Sequence, residues 1–407
     1  MPASYQTGVD PIPAVCPIPA TAPSSGEPAS FHLGYRRWLD GLRGVAILLV
    51  VFFHLQLLPG GALGVDLFFV LSGFLITNLL VEEWLRRGSI SLKRFYLRRA
   101  LRLLPAFIVL LLVFILHTLL ISPPETIAAR WHELAVVACY VANWNQVHGA
   151  TLTLLGHTWS LSVEEQFYLL WPALLCLLLY LKMPRMHILI LVIAAILASA
   201  LLRLGLHHQH RFLGTPRIPI IRLYAGLDTR ADSLLAGCLA GLVASWNWLP
   251  TSRRFIARIK AATVFAVLVL AFCLFKRDLC SSQYYDGLFT VVALMTALLI
   301  IRLLVAPSRI GAAILESAPL VFVGRISYGL YLFHAPVIAG FGEDSLGWGH
   351  LGTTALAFVL SLATALLSFY LVERPFLRLK DQLGASAAAP APSTLDPQNQ
   401  RPPRAAA

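Results

Sequence analysis

Ten apolar runs of near membrane-spanning length govern what this chain can fold into. They fall at residues 41–58, 64–81, 104–121, 161–181, 187–206, 226–246, 261–275, 287–305, 324–341 and 352–372. A helix rises about 1.5 Å per residue, so about 20 apolar residues cross the roughly 30 Å hydrocarbon layer of a bilayer. In lipid the backbone N–H and C=O groups must be bonded within the segment itself, which makes each such run a helix. Composition points the same way. The chain is 58% hydrophobic and 13% charged, against about 25% charged in soluble domains, too little to cover a water-facing surface. The expected fold class is therefore an all-α integral membrane protein of about ten transmembrane helices. A soluble enzyme and a single-anchor enzyme are excluded. The shorter, more polar stretch 131–145 is expected to be interfacial or re-entrant.

The formal net charge of +12 does not by itself call for nucleic acid, because basic residues gather in the cytoplasmic loops of polytopic proteins. Tyr35-Arg36-Arg37 precedes the first run and places the N-terminus in the cytoplasm. Sorting the basic residues by that topology puts 24 inside and eight outside, the latter including Arg130, Arg203, Arg222 and Arg230. Both termini are thus expected to be cytoplasmic, in a multi-pass protein of the cell inner membrane. Of the 32 basic residues, 27 are arginine, the side chain that grips phosphates bidentately, although a GC-rich genome gives the same bias.

Residues 1–33 and 384–407 are rich in Pro and Ala and read as disordered tails around a ten-helix domain at 34–383. The first tail lacks the basic start and apolar core of a secretory signal. The six cysteines show no CxxC pair and no metal spacing. Cys273 and Cys280 are the one pair placed to bridge an outer loop. Gly237-Cys-Leu-Ala-Gly241 is a GxxxG pattern, read as a helix contact. Motifs of P-loop ATPases, dinucleotide enzymes, zincins and glycerolipid acyltransferases are absent.

Ionisable residues inside spans are costly and mark functional candidates. Arg43 and His54 lie eleven residues apart, within about 20° of one helix face and about 16 Å apart along it. Asp66, near the outer end of the second run, is placed to orient an imidazole or to cap the helix. Ser72-Gly73 falls in the middle of that run. Arg98, Arg99 and Arg102 cluster in a segment read as an inner loop, Lys93–Pro105. Such a cluster suits lipid headgroups, orientation in the membrane, or the phosphates of a nucleotide-like donor. Trp159-Ser160-Leu161-Ser162-Val163-Glu164-Glu165 opens the fourth run from the outer side, and at least one carboxylate should face the bundle interior. Ser327, Tyr331 and His334 recur at i, i+4, i+7 and share one face of the ninth run. Glu373-Arg374 at the end of the tenth run reads as structural.

These pieces resemble the membrane acyltransferase-3 family of O-antigen, exopolysaccharide and macrolide O-acyltransferases. The matches are Leu39-Asp40-Gly41-Leu42-Arg43-Gly44 with His54, Gly64-Val65-Asp66-Leu67-Phe68-Phe69-Val70-Leu71-Ser72-Gly73-Phe74, and Arg98-Arg99-Ala100-Leu101-Arg102-Leu103-Leu104-Pro105. Trp159–Glu164 and Ser327–His334 complete them, in the family's order, over about residues 35 to 380. The resemblance implies transfer of an acyl group, usually acetyl, from acyl-CoA to a hydroxyl of a carbohydrate-like acceptor. It carries the family's Arg-x10-His pair onto Arg43 and His54, and its Arg-x-x-Arg pair onto Arg99 and Arg102. Without a C-terminal esterase-like domain, the chain is expected to resemble the stand-alone branch.

A sugar hydroxyl attacks a thioester poorly unless a base takes its proton, and a positioned base is worth about 10² to 10⁴ in rate. His54 is the expected base or acyl-relay residue, with Asp66 or Glu164 orienting it. Arg43 is expected to hold donor phosphate or to stabilise the oxyanion, and Arg98, Arg99 and Arg102 to anchor the CoA phosphates. Substrate contacts are assigned to Ser72, Trp159, Ser327, Tyr331 and His334. No metal and no permanently bound cofactor are expected, with acetyl-CoA as the donor substrate. The acceptor is expected to be a carbohydrate, a lipid-linked glycan or a glycosylated small molecule, with membrane lipid as the other partner. The competing reading is a proton-coupled exporter of an acylated or lipid-linked metabolite, which mid-membrane His and carboxylates would also suit. Against that reading, no repeat and no matched pair of Gly/Pro-broken spans is visible.

Overall fold

The computed structural model describes residues 32–212, 220–275, 283–341 and 349–386. Most of both expected tails lies outside them, as do Cys16 and Cys280, and with Cys280 the expected bridge to Cys273. Each of the ten runs becomes a helix: α1 (Arg37–His54), α2 (Gly64–Arg87), α3 (Leu92–Leu120), α4 (Trp159–Tyr180), α5 (Arg185–Phe212), α6 (Leu227–Ser245), α7 (Arg253–Phe275), α8 (Phe289–Val305), α9 (Ser327–Gly340) and α10 (Gly349–Ser368). No strand occurs among the described residues. The stretch 131–145 divides between two short helices, Ile127–Ala138 and Ala142–Val147, about a left-handed Tyr140 at φ 54°.

Among the described residues seven helices are long and apolar enough to cross a membrane, or up to eight if Ala318–Arg325 and α9, bent by 72° at their break, form one span. The remaining two, α1 and α6, differ in kind. α1 carries Arg37, Asp40 and Arg43, and α6 carries Asp228, Arg230 and Asp232. Lipid would penalise those charges by several kcal/mol, so both helices are packed inside the bundle, where most of α6 from Thr229 to Ser245 is buried. The periphery takes the opposite composition. On α7 the side chains of Val264, Phe265, Leu268 and Phe272 are each more than 60% exposed, a surface fit for lipid.

One very tight crossing is α2 on α6. A Cβ on Gly73 would stand 1.9 Å from the Leu234 carbonyl oxygen, and one on Gly237 2.0 Å from that of Val70. The two backbones therefore touch, the arrangement that small residues permit in membranes. The Gly237/Gly241 pattern is one side of this contact.

Two boundaries depart from the sequence reading. The segment Lys93–Pro105 is helix rather than inner loop. The Ser91 hydroxyl accepts from the Arg94 N–H at 3.4 Å and starts α3 at Leu92, and the Leu, Arg and Ala that follow favour helix. Hydropathy alone missed this because the first three turns are basic. The ninth run, read as continuous over 324–341, breaks at Ile326, so α9 starts at Ser327 with Ser327, Tyr331 and His334 along its length.

Candidate active site

One end of the bundle gathers arginines. α1 presents Arg43 and α3 presents Arg99 and Arg102 to a cavity of about 290 Å³, which Ser72, Glu164 and Ser327 also line. Arg99 is held twice, by Glu165 at 3.3 Å and by the Tyr168 ring 3.2 Å below its guanidinium. Arg43 leans on Asp40 at 3.4 Å. The Ser72 hydroxyl donates to a Glu164 carboxylate oxygen at 2.9 Å across α2 and α4. Arg102 is exposed within this cavity and donates to no protein acceptor among the described residues. Three guanidiniums around one cavity make a site for a multiply charged anion such as a phosphate group. Arg98, one residue from Arg99, does not line it.

Toward the other end lies a second cavity of about 290 Å³, lined by His54, His157, Trp159, Tyr224 and Tyr285 among others. Here three imidazoles converge. His54 and His334 rings are 4.8 Å apart, and His334 and His157 rings 5.3 Å apart. A carbonyl oxygen can only accept, so backbone contacts fix where the protons sit. His54 Nδ1 lies 2.9 Å from the Val50 carbonyl and must donate to it. His334 Nδ1 lies 2.7 Å from the Tyr331 carbonyl, which leaves its Nε2 as a lone pair 3.4 Å from His54 Nδ1. His157 Nε2 donates to the Leu332 carbonyl at 3.1 Å, and its buried Nδ1 has no partner among the described residues. The consequence is that His54 keeps Nε2 as a basic nitrogen at the cavity wall. No group of three or more His, Cys, Asp or Glu among the described residues is arranged to hold a metal ion.

The structure brings together some of the residues named from sequence and separates others. Arg43, Ser72, Arg99, Arg102, Glu164 and Ser327 share the first cavity; His54 and Trp159 share the second; Tyr331 lines both. His334, fully buried, sits behind His54. Neither carboxylate proposed to orient His54 touches it. Asp66 is buried at 1% exposure and bound by Arg230 at 2.7 Å and Ser233 at 2.9 Å, and Glu164 faces the other cavity. The partner of His54 across the helices is His334 instead.

Sequence reasoning passed over several groups. His157, two residues before Trp159, was not among the candidates. Arg203 and Arg230 were counted as outer basic residues, yet both are 0% exposed. Arg203 binds Asp232 at 2.9 Å, and Thr290 donates to the same carboxylate at 2.6 Å. The signal was available: an Arg and an Asp two apart, inside an apolar run, have to find opposite charges on neighbouring helices.

The family model described as an acyltransferase domain, Acyl_transf_3, matches residues 36–373. The chain is 36% identical over 359 residues to a Staphylococcus aureus (strain MSSA476) protein named "Putative O-acetyltransferase SAS0844", covering 84% of this chain and 57% of that one. It is 36% identical over 321 residues to O-acetyltransferase OatA of S. aureus strain NCTC 8325, covering 75% and 51%. The chain thus spans about half the length of the curated relatives it matches. No solved structure matches.

Proposed function

The chain belongs to the Acyl_transf_3 family of acyltransferase domains, and on that premise we propose that it moves an acetyl group from acetyl-CoA to a hydroxyl of a carbohydrate or glycoconjugate acceptor. The observation that carries this reading is the pair of cavities, one ringed by arginines and the other by imidazoles and aromatic rings, with a common wall at Tyr331 and Val65.

In this reading the arginine cavity faces the cytoplasm of a cell inner membrane, as the distribution of basic residues favours. Arg43, Arg99 and Arg102 grip the CoA phosphates there. The acceptor enters the second cavity, where Trp159 and Tyr224, with ring centroids 4.7 Å apart, offer aromatic faces to the C–H face of a sugar. His54 Nε2 takes the proton of the acceptor hydroxyl as its oxygen bonds to the thioester carbonyl carbon. The C–S bond then breaks, and the CoA sulfur receives the proton from the imidazolium. His334 holds the His54 ring in register for this exchange. OatA, named an O-acetyltransferase, fits an acetyl group and a hydroxyl acceptor.

The test is purified protein in detergent with radiolabelled acetyl-CoA. CoA release in the presence of a glycan acceptor is expected from the wild type. His54→Ala should lose it by about 10²-fold or more while still binding the donor. Turnover by His54→Ala close to wild type would remove the base from this residue.

A further inference from the structure

Among the described residues the two cavities have two in common, Val65 on α2 and Tyr331 on α9. Val65 is an apolar side chain on a fixed backbone, since the neighbouring Asp66 is tied to Arg230 and Ser233 on α6. Tyr331 is the polar and larger half of the wall. Its ring stands edge-on to Phe68 of the arginine cavity at 6.5 Å and is tilted against His157 of the other cavity at 5.5 Å. Its hydroxyl donates to the His157 carbonyl at 2.5 Å and accepts from the Ser160 hydroxyl, also at 2.5 Å. Two short bonds hold one side chain in the wall that the two cavities share.

An acyltransferase working between two compartments faces a competing reaction. Water that reaches the thioester beside a histidine base is a nucleophile too: its oxygen bonds to the carbonyl carbon, the C–S bond breaks, and acetate and CoA thiol result. Excluding water from reactive groups is a recognised task of an active-site wall.

We propose that Tyr331 is the specificity-determining partition of this site, keeping water of the acceptor cavity from the acyl donor until an acceptor displaces it. The inference rests on the assignment of acetyl-CoA to the arginine cavity. Displacement by an acceptor is chemically apt, because a sugar hydroxyl can replace the Tyr331 hydroxyl on Ser160 and on the His157 carbonyl. The ordering of partners is thereby built into one side chain: bound acceptor opens the wall that its absence leaves shut.

The experiment measures two rates in one detergent preparation, acetyl transfer to acceptor and acceptor-independent hydrolysis of radiolabelled acetyl-CoA, with donor binding by equilibrium dialysis. Tyr331→Ala should raise the ratio of hydrolysis to transfer by about tenfold or more. Tyr331→Phe, which keeps the ring and loses both bonds, should raise it less. Ser160→Ala removes one bond from the opposite side and should move the ratio in the same direction, which protects the test if Tyr331→Ala fails to fold. A merely structural role for Tyr331 would lower both rates together. An unchanged ratio in all three variants, with donor binding intact, overturns the partition alone. Failure of the wild type to bind acetyl-CoA overturns the donor assignment and the partition with it.

Discussion

His54 shows what a polar side chain must do at depth in a bundle. It gives its Nδ1 proton to the carbonyl one turn back on its own helix, at Val50, and meets only the lone pair of His334 across the gap. A carboxylate orienter would add a buried charge; an imidazole does not. If His334 acts through His54, as the proposed mechanism has it, His334→Ala should lower kcat by about tenfold and leave the KM for acetyl-CoA unchanged. Steady-state kinetics over a donor series reads this, and a raised KM with constant kcat would show that His334 serves binding instead. The Asp66–Arg230 pair carries the opposite lesson. Both partners are buried, and Arg230 also lies 3.8 Å over the Phe289 ring. Asp66→Ala alone strands a guanidinium and should destabilise the fold by about 3–5 kcal/mol, whereas removing both charges, as in Asp66→Leu with Arg230→Met, should recover most of that loss. Thermal melting in detergent compares the two, and equal melting of single and double variants would mean the pair is not the source. These pairings were not legible in the sequence. Asp66 and Arg230 are 164 positions apart, and hydropathy locates a charge in a span without saying which helix answers it. The presence of Arg43, His54 and Asp66 in apolar runs was legible, because such residues are rare there.

At the scale of elements, periodicity did well where lipid is the solvent and poorly where protein or water is. The ten runs were visible because each needs an apolar stretch. The starts of α3 and α7 were not, because their basic first turns, from Lys93 and from Arg253, do not read as membrane-spanning although they are helical. Misplacing Lys93–Pro105 in a loop had a cost. The three arginines were grouped as one cluster, yet Arg98 does not line the cavity that Arg99 and Arg102 line. Arg102→Ala is therefore expected to raise the KM for acetyl-CoA by about ten- to a hundredfold, the worth of a charge-assisted hydrogen bond, and Arg98→Ala by less than about twofold. Equal effects would assign the cluster to membrane surface charge. The α2/α6 crossing gives a purely structural counterpart. Gly73→Ala puts a methyl carbon 1.9 Å from a backbone oxygen, and backbones on two long helices give way only by separating. Size-exclusion chromatography of a fluorescent fusion should show loss of the monodisperse peak. A normal peak would mean that the helices part at little cost.

For the molecule as a whole, the proposed function ties the direction of the reaction to the arrangement of charge. Arginines that hold a phosphorylated donor are useful only on the side where CoA is made, and positive residues settle on that same side during insertion. On that reading one distribution serves topology and chemistry together, and net charge alone speaks for neither. The turn at Gly88–Ile90 lies beside the basic ends of α2 and α3, and the segment between the helix Ala142–Val147 and α4 lies beside His157. Cysteine placed at Ser89 should therefore face the cytoplasm and cysteine at Ala150 the opposite compartment. In intact cells, a membrane-impermeant maleimide should label Ala150→Cys at once and Ser89→Cys only after permeabilisation. The native thiols need a parallel control, above all Cys139, which is exposed. The reverse pattern would put the arginine cavity on the side without CoA. The acyl group would then have to come from a donor of another kind, and the phosphate grip of Arg43, Arg99 and Arg102 would fall to a lipid-linked pyrophosphate.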